Sequence, residues 1–231
     1  MKNITENETI LPAGQQARPD FPRFGIPAFA KFQAPVTTPY TLTIAGDIPA
    51  IKLCPEDLIH LERVELAADF HCVATWSYRG VSWSGFRFRE VFEQLVRPQL
   101  PPNIDLKLAV FGGLDGYRAS LLLEDALAND MLLADTLNGE PLTNNHGSPL
   151  RLVAPAHYGY KNVKHLAKID LWCNVHSYRP ILPKFMEHPR GRVVYEERGR
   201  YLPGWLLRYV YRPLIQPIVR HFERVEADNA T

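Results

Sequence analysis

Cys72 is the residue on which chemistry can turn. It stands in Ala68-Asp69-Phe70-His71-Cys72-Val73-Ala74-Thr75-Trp76, near the end of an apolar run from Val64 that is rich in strand formers. A free cysteine there has two readings. It packs as a small hydrophobe, or a rigid strand aims its thiolate at a soft metal. Elsewhere, short segments each join a polar or basic residue to glycine: Arg23-Phe24-Gly25, Gly113-Leu114-Asp115, His146-Gly147, and Gly159-Tyr160-Lys161-Asn162-Val163-Lys164, with Arg151 between the last two. Such a set suits a large polar anion threaded between loops. Glycine lets backbone N–H groups approach it, and arginine and lysine meet its phosphate. Other chemistries lack their spacing. No G-x-S-x-G elbow, Walker loop or G-x-G-x-x-G occurs. Cys54, Cys72 and Cys173 form neither a zinc-type C-x-x-C nor a disulfide framework. His157 and His165 lack partner acids for a zinc site.

Those residues need elements to hold them. Residues 40–45 alternate as a strand and end at Gly46-Asp47, a turn signal. Pro55 opens a short helix capped by Cys54, with Glu56 and Asp57 in its first turn. Residues 64–76 read as the strand carrying Cys72. Gly85 leads into a helix in which Phe88, Val91, Phe92 and Leu95 share a face, and Pro98 ends it. Strands follow at 106–111, 119–123, 131–137, 150–154 and 169–172. Asn138-Gly139 is the strongest hairpin signal in the chain. Strands outnumber helices and do not alternate with long ones, so the expectation is an α+β fold dominated by β.

The chain has 231 residues and a 46% apolar fraction, enough for one domain with an appendage. Net charge is +1, which gives no footprint for nucleic acid. No run of eighteen apolar residues predicts a transmembrane span. Residues 1–20 are polar, carry no signal-peptide pattern, and are expected to be flexible up to an anchor near Phe21. With reduced cysteines, that predicts a cytoplasmic setting. The expected organisation is a flexible segment 1–20, a body at 21–172 and an extension at 173–231.

Six pieces in order carry a family resemblance. Phe70-His71-Cys72-Val73, Phe111-Gly112-Gly113-Leu114-Asp115, Tyr117-Arg118-Ala119-Ser120-Leu121, the run from Thr136 to Leu142, the run from His146 to Pro155, and the run from Tyr158 to Leu166 resemble the molybdopterin-binding core of the sulfite oxidase family. The resemblance covers roughly residues 21–172. It implies a β-rich, mixed-sheet molybdopterin-binding fold and a molybdenum-dependent oxidoreductase performing two-electron oxygen-atom transfer. It implies one molybdenum–molybdopterin cofactor, with Cys72 as the metal ligand. Cofactor contacts carry over to Phe24, Gly25, Asp115, His146, Arg151, Asn162, Val163 and Lys164. Arg23 matches a position near the substrate. His71 adjoins the ligand but faces away from it in a regular strand. A tyrosine role near the metal does not transfer to Tyr160 specifically.

One departure concerns the substrate. Where the family places an arginine after the metal cysteine, this chain reads Val73-Ala74-Thr75-Trp76. An oxyanion needs compensating charge, so Trp76, with Trp83 nearby, favours a neutral sulfoxide or N-oxide over sulfite. In this the chain is similar to the branch that includes the catalytic subunit of protein-methionine-sulfoxide reductase. No haem domain is expected, so electrons pass to or from a separate partner such as a haem protein. The alternative is a non-catalytic molybdopterin-binding or electron-relay subunit. The tail shows Leu206, Val210, Leu214, Ile218 and Phe222 every four residues, with Arg208, Arg212, Arg220 and Arg224 on the same period offset by two. This predicts an amphipathic helix with an apolar stripe opposite a basic one, interrupted at Pro213 and Pro217. It serves either as a docked element or as a peripheral membrane contact.

Overall fold

The computed structural model describes residues 10–35, 40–181 and 186–230. In chain order the strands and helices are β1 (Gln16–Ala17), β2 (Leu42–Gly46), β3 (Ile51–Leu53), α1 (Pro55–Leu58), β4 (Arg63–His71), β5 (Trp76–Arg87) and α2 (Phe88–Val91). There follow β6 (Leu108–Gly113), β7 (Arg118–Leu122), α3 (Leu123–Ala126), β8 (Leu132–Leu137), β9 (Glu140–Pro141), β10 (Arg151–Val153), β11 (Leu166–Trp172), α4 (Gly204–Tyr211) and α5 (Ile215–Ala230). A π-helical turn, Phe92–Val96, and a short 3-10 turn, Arg97–Gln99, continue α2.

Two mixed sheets result. One has the order β1-β5-β8-β10, with β4 added on β5 and β9 on β8. The other has the order β3-β2-β11-β6-β7. Only β1–β5 and β2–β11 run parallel among the described pairs. The arrangement is α+β, and the hairpin at Asn138-Gly139 joins β8 to β9 as its sequence requires. Side chains alternate across a strand, and β8 uses both faces. Leu133 enters the main core with Ile44, Phe111 and Ile169 of the other sheet and Phe88 and Phe92 of the α2 segment. Leu132 and Ala134 enter a second cluster with Val81, Trp83 and Val153.

Three expectations need correcting. The run 64–76 is not one strand: β4 ends at His71, β5 begins at Trp76, and Cys72 sits in the hairpin turn between them. Anchoring begins before Phe21, because Gln16 and Ala17 pair with Trp76 and Ser77 at the start of β5. The tail does not bury a period-four stripe. Leu207, Tyr211, Val219, Phe222 and Val225 are buried, whereas Leu206, Val210 and Leu214 are exposed. A helix turns every 3.6 residues, so spacings alternating between three and four keep one face. A strict four drifts off it. The break falls at Pro213, in the 3-10 turn Arg212–Leu214 between α4 and α5, but not at Pro217, which α5 takes up in its first turn.

Candidate active site

The turn that carries Cys72 is tight and held from outside. The Cys72 N–H donates to the Trp76 carbonyl at 2.8 Å, and the Thr75 N–H donates to the Cys72 carbonyl at 3.2 Å. Thr75 has φ of 74°, a left-handed conformation that is costly for a β-branched residue. Other segments fix the strained loop. Gln15 Nε2 donates to the Cys72 carbonyl at 3.1 Å, and its Oε1 accepts from Ser77 Oγ. Ser77 in turn bonds His71 Nδ1 at 2.7 Å. His71 is thereby part of the frame and does not border the cavity. Arg198 is fully buried. Its Nη1 donates to the Val73 carbonyl at 2.6 Å and its Nη2 to the Ala13 carbonyl at 3.1 Å. Its guanidinium lies over the Tyr158 ring at 4.8 Å. Burial pushes the Cys72 thiol up to about 12, opposed by the Ala74 N–H and by Arg198.

Cys72 borders a cavity of about 480 Å³. The same cavity is lined by Arg23, Phe24, Gly25, Asp115, Arg151, Asn162 and Lys164. Seven residues from four segments, six of them in loops and Arg151 at the start of β10, thus border one space with the thiol. Two predicted contacts lie elsewhere. Val163 is buried in the main core, so only its backbone faces the loop. His146 borders a small adjoining pocket with Phe21, Phe24, Phe70, Trp76, Arg151 and Lys164. Asn162 lines the cavity, but its Oδ1 is spent on the Ala154 N–H at 2.8 Å. That bond pins the loop that delivers Lys164.

Positive charge converges on the cavity. Lys164 donates to the Asn145 carbonyl at 2.7 Å, and Arg151 donates to the His146 carbonyl at 2.8 Å. Gly147, at φ of 100°, lies under Lys164: a Cβ there would stand 2.8 Å from the lysine Cβ. Burial, then Arg151 and Arg23, depress Lys164 to about 7 against Asp115 and Glu226. Burial alone lowers Arg151 to about 9. Burial, then Arg151 and Lys164, bring His146 down to about 3, so it is neutral. Burial raises the Asp115 carboxyl, opposed by the Tyr117 N–H and Lys164. Arg23 Nη1 and Arg151 Nε are buried with no partner among the described residues. Three cations and two orphaned donors around one space fit a polyanion. No three His, Cys, Asp or Glu side chains gather for a metal among the described residues.

Arg23, expected near the substrate, groups with Arg151 and Lys164 around the cavity. Its electrostatic neighbours are Glu226 and Asp115, and it acts in turn on Lys164 and His165. Trp76 and Trp83 do not border the large cavity, and Trp83 instead lies under Arg151 at 4.6 Å. The apolar wall beside Cys72 comes from Phe70, Val73, Ala74 and Met186, with Tyr211, Leu214, Ile218 and Phe222 of the tail. Sequence reasoning missed the tail's part and that of Arg198, because both pack across long sequence separations. Tyr117 and His165 also line the cavity. They had a signal, since both fall inside the segments that carry the resemblance.

A buried thiol on one wall and clustered cations on another mark a cofactor-holding α+β protein. The sequence profile of the oxidoreductase molybdopterin binding domain matches residues 31–177, and the chain belongs to that family. It is a molybdopterin-dependent oxidoreductase. An uncharacterized oxidoreductase, YuiH, of Bacillus subtilis is 32% identical over 153 residues, covering 58% of this chain and 75% of that protein. The protein-methionine-sulfoxide reductase catalytic subunit MsrP of Campylobacter jejuni is 30% identical over 151 residues, 58% of this chain and 49% of that protein. That of Gluconobacter oxydans is 31% identical over 150 residues, 58% and 47%. The chain thus spans about half the length of these reductase subunits. Among solved structures, the sulfane dehydrogenase SoxCD of Paracoccus pantotrophus matches at 23% identity with a TM-score of 0.49, over 58% of this chain and 38% of that one.

Proposed function

We propose that the chain holds one molybdenum–molybdopterin cofactor and reduces a small neutral S-oxide or N-oxide by oxygen-atom transfer. The observation that carries this reading is one cavity bordered both by the Cys72 thiol and by Arg23, Arg151 and Lys164. When bound, the cofactor supplies the two-electron centre and the hard chemistry. The protein's own work is to position it. Arg151 and Lys164 neutralise the terminal phosphate, helped by Arg23. Asp115 would hydrogen-bond the pterin, with His146 beside it in the adjoining pocket. Cys72 gives one soft sulfur ligand, held deprotonated by the metal despite its burial. The wall of Phe70, Val73, Ala74, Met186 and Tyr211 is apolar and has no ionised side chain.

That wall supports the substrate class. An anion beside it would lose hydration and meet only the Arg198 guanidinium, already bonded to the Val73 and Ala13 carbonyls, so sulfite is expected to turn over poorly and a neutral sulfoxide well. A sulfoxide that takes two electrons and two protons leaves as sulfide and water. The electrons then come from a separate carrier protein, a haem protein or similar. The relatives named as catalytic subunits support such a partner. The proposal sets the protein in the cytoplasm, on its three unpaired cysteines, with the tail as a peripheral membrane contact.

The test begins with composition. Protein from a molybdenum-replete host should carry about one molybdenum per chain and acid-releasable pterin, as a single thiolate ligand requires. Zinc, or neither metal nor pterin, would sink the assignment. Cys72→Ser should keep its pterin and lose turnover with reduced viologen and a sulfoxide, since a hydroxyl replaces thiolate poorly. Full activity in that variant refutes the ligand role. Rapid sulfite oxidation at low concentration counts against the substrate class.

A further inference from the structure

We propose that the outer face of α4 rests on an anionic phospholipid surface. This deepens the tail reading by naming the face, which is not the arginine stripe seen in the sequence. At about 100° per residue, Trp205, Leu206, Tyr209 and Val210 fall within one sector of the helix. Trp205 is 57% exposed, Tyr209 74% and Val210 54%. Tyr201 and Leu202, just before the helix, are exposed as well. The opposite side is already used, because Leu207 and Tyr211 are buried with Cys72 and Ala74. The helix is apolar on both sides, and only one side serves the core.

The chemistry of the stretch selects the occupant. Arg198 is buried, and residues 199–215 contain three further arginines and no Asp, Glu, Ser, Thr, Asn or Gln. The next acid after Glu197 is Glu223. A protein partner would need about one hydrogen bond per 100–200 Å² and a polar rim. This surface offers donors to an anion and little else. A bilayer surface asks for what is present. Trp and Tyr rings sit at headgroup level, aliphatic side chains enter the acyl boundary, and arginines meet phosphates. Arg200 and Arg212 are exposed, and Arg208 flanks the same sector while pairing with Glu196. No helix among the described residues is long and apolar enough to cross a membrane, so α4 would lie on the surface. Leu214 is both exposed and part of the cavity wall. Docking through this face therefore sets the cavity beside the lipid.

The experiment uses the purified holoprotein and sedimentation with vesicles of phosphatidylcholine, with and without phosphatidylglycerol. Binding should require phosphatidylglycerol and weaken as salt rises, since exposed charges are screened over about 10 Å at 0.1 M. Trp205 emission should shift to the blue on binding. Replacing Trp205 and Tyr209 together by serine should lower the partition coefficient by about tenfold or more, as burial of both rings is lost. Their exposure predicts an unchanged melting temperature. Three results overturn the proposal. They are wild type that ignores phosphatidylglycerol vesicles at low salt, a double variant that binds as well as wild type, and wild type that self-associates through the patch while the variant is monomeric. Viologen-driven turnover of both proteins reports separately on the catalytic reading, and its loss leaves the vesicle result standing.

Discussion

Arg198 and Lys164 show how single side chains set the character of this site. Arg198 holds the carbonyls of Val73 and Ala13, so Arg198→Met removes both donors from beside a strained turn. The expected loss is about 2 kcal/mol of stability by thermal melting. With it should come a fall in kcat at near-constant KM and an altered electron paramagnetic resonance spectrum of the metal. Arg198→Lys should restore part of each, because one donor returns. Lys164 should set how anion binding depends on pH. Its pKa is depressed from 10.5 to about 7, while His146, near 3, and His165, near 4, stay neutral. Apoprotein should bind sulfate more weakly as pH rises through about 7, and Lys164→Met should flatten that slope. Stability moves the other way. Above about 7 the unfolded chain still holds the proton that the folded lysine has released, so stability rises with pH toward 10.5. The cavity residues were legible because glycine and cations recur in short loops, and their order added specificity. Arg198 was not, since nothing local distinguishes a buried arginine from a solvated one.

Elements were read best where the signal is local. Asn138-Gly139 fixed a hairpin, Cys54 and Asp57 share a capping box on α1, and Pro213 broke the tail. The Cys72 strand failed for a physical reason. Val73 and Thr75 are strand formers, but the Cys72–Trp76 turn is imposed by pairing between β4 and β5 and by Gln15. The tail stripe failed because a period of four is not the helical period. What α5 does in the fold follows from Phe222, which is 4% exposed. It packs with Ala30 and Val225 and lies under the Arg23 guanidinium at 5.4 Å. Phe222→Ala should cost about 3 kcal/mol in chemical denaturation. It should also admit bulkier sulfoxides, read as a lowered KM for an aryl substrate relative to a methyl one. A KM ratio that does not change would place Phe222 in the core alone.

At the scale of the molecule, the cavity is completed by parts of the chain outside the matched region. The profile ends at residue 177, yet Met186, Tyr211, Leu214, Ile218 and Phe222 wall the cavity, and Arg23, Phe24 and Gly25 reach it from before residue 31. The two sheets carry the main core without them, since that cluster contains no residue beyond Leu171. Core and cavity are therefore separable. A chain ending at Pro203 should keep the strand signature in circular dichroism and a cooperative, lowered melting transition. It should lose most of its acid-releasable pterin on gel filtration, because one wall of the cavity is gone. The unmetallated form should also expose Cys72, which is 5% accessible in the full chain. Its alkylation by iodoacetamide should quicken by an order of magnitude or more, because access then limits a thiol whose burial is relieved. Cys54 and Cys173, both partly exposed, serve as internal standards by mass spectrometry. Equal Cys72 alkylation and equal pterin retention in the two chains would show that the sheets alone enclose the site, and that the tail's packing against Cys72 is incidental to it.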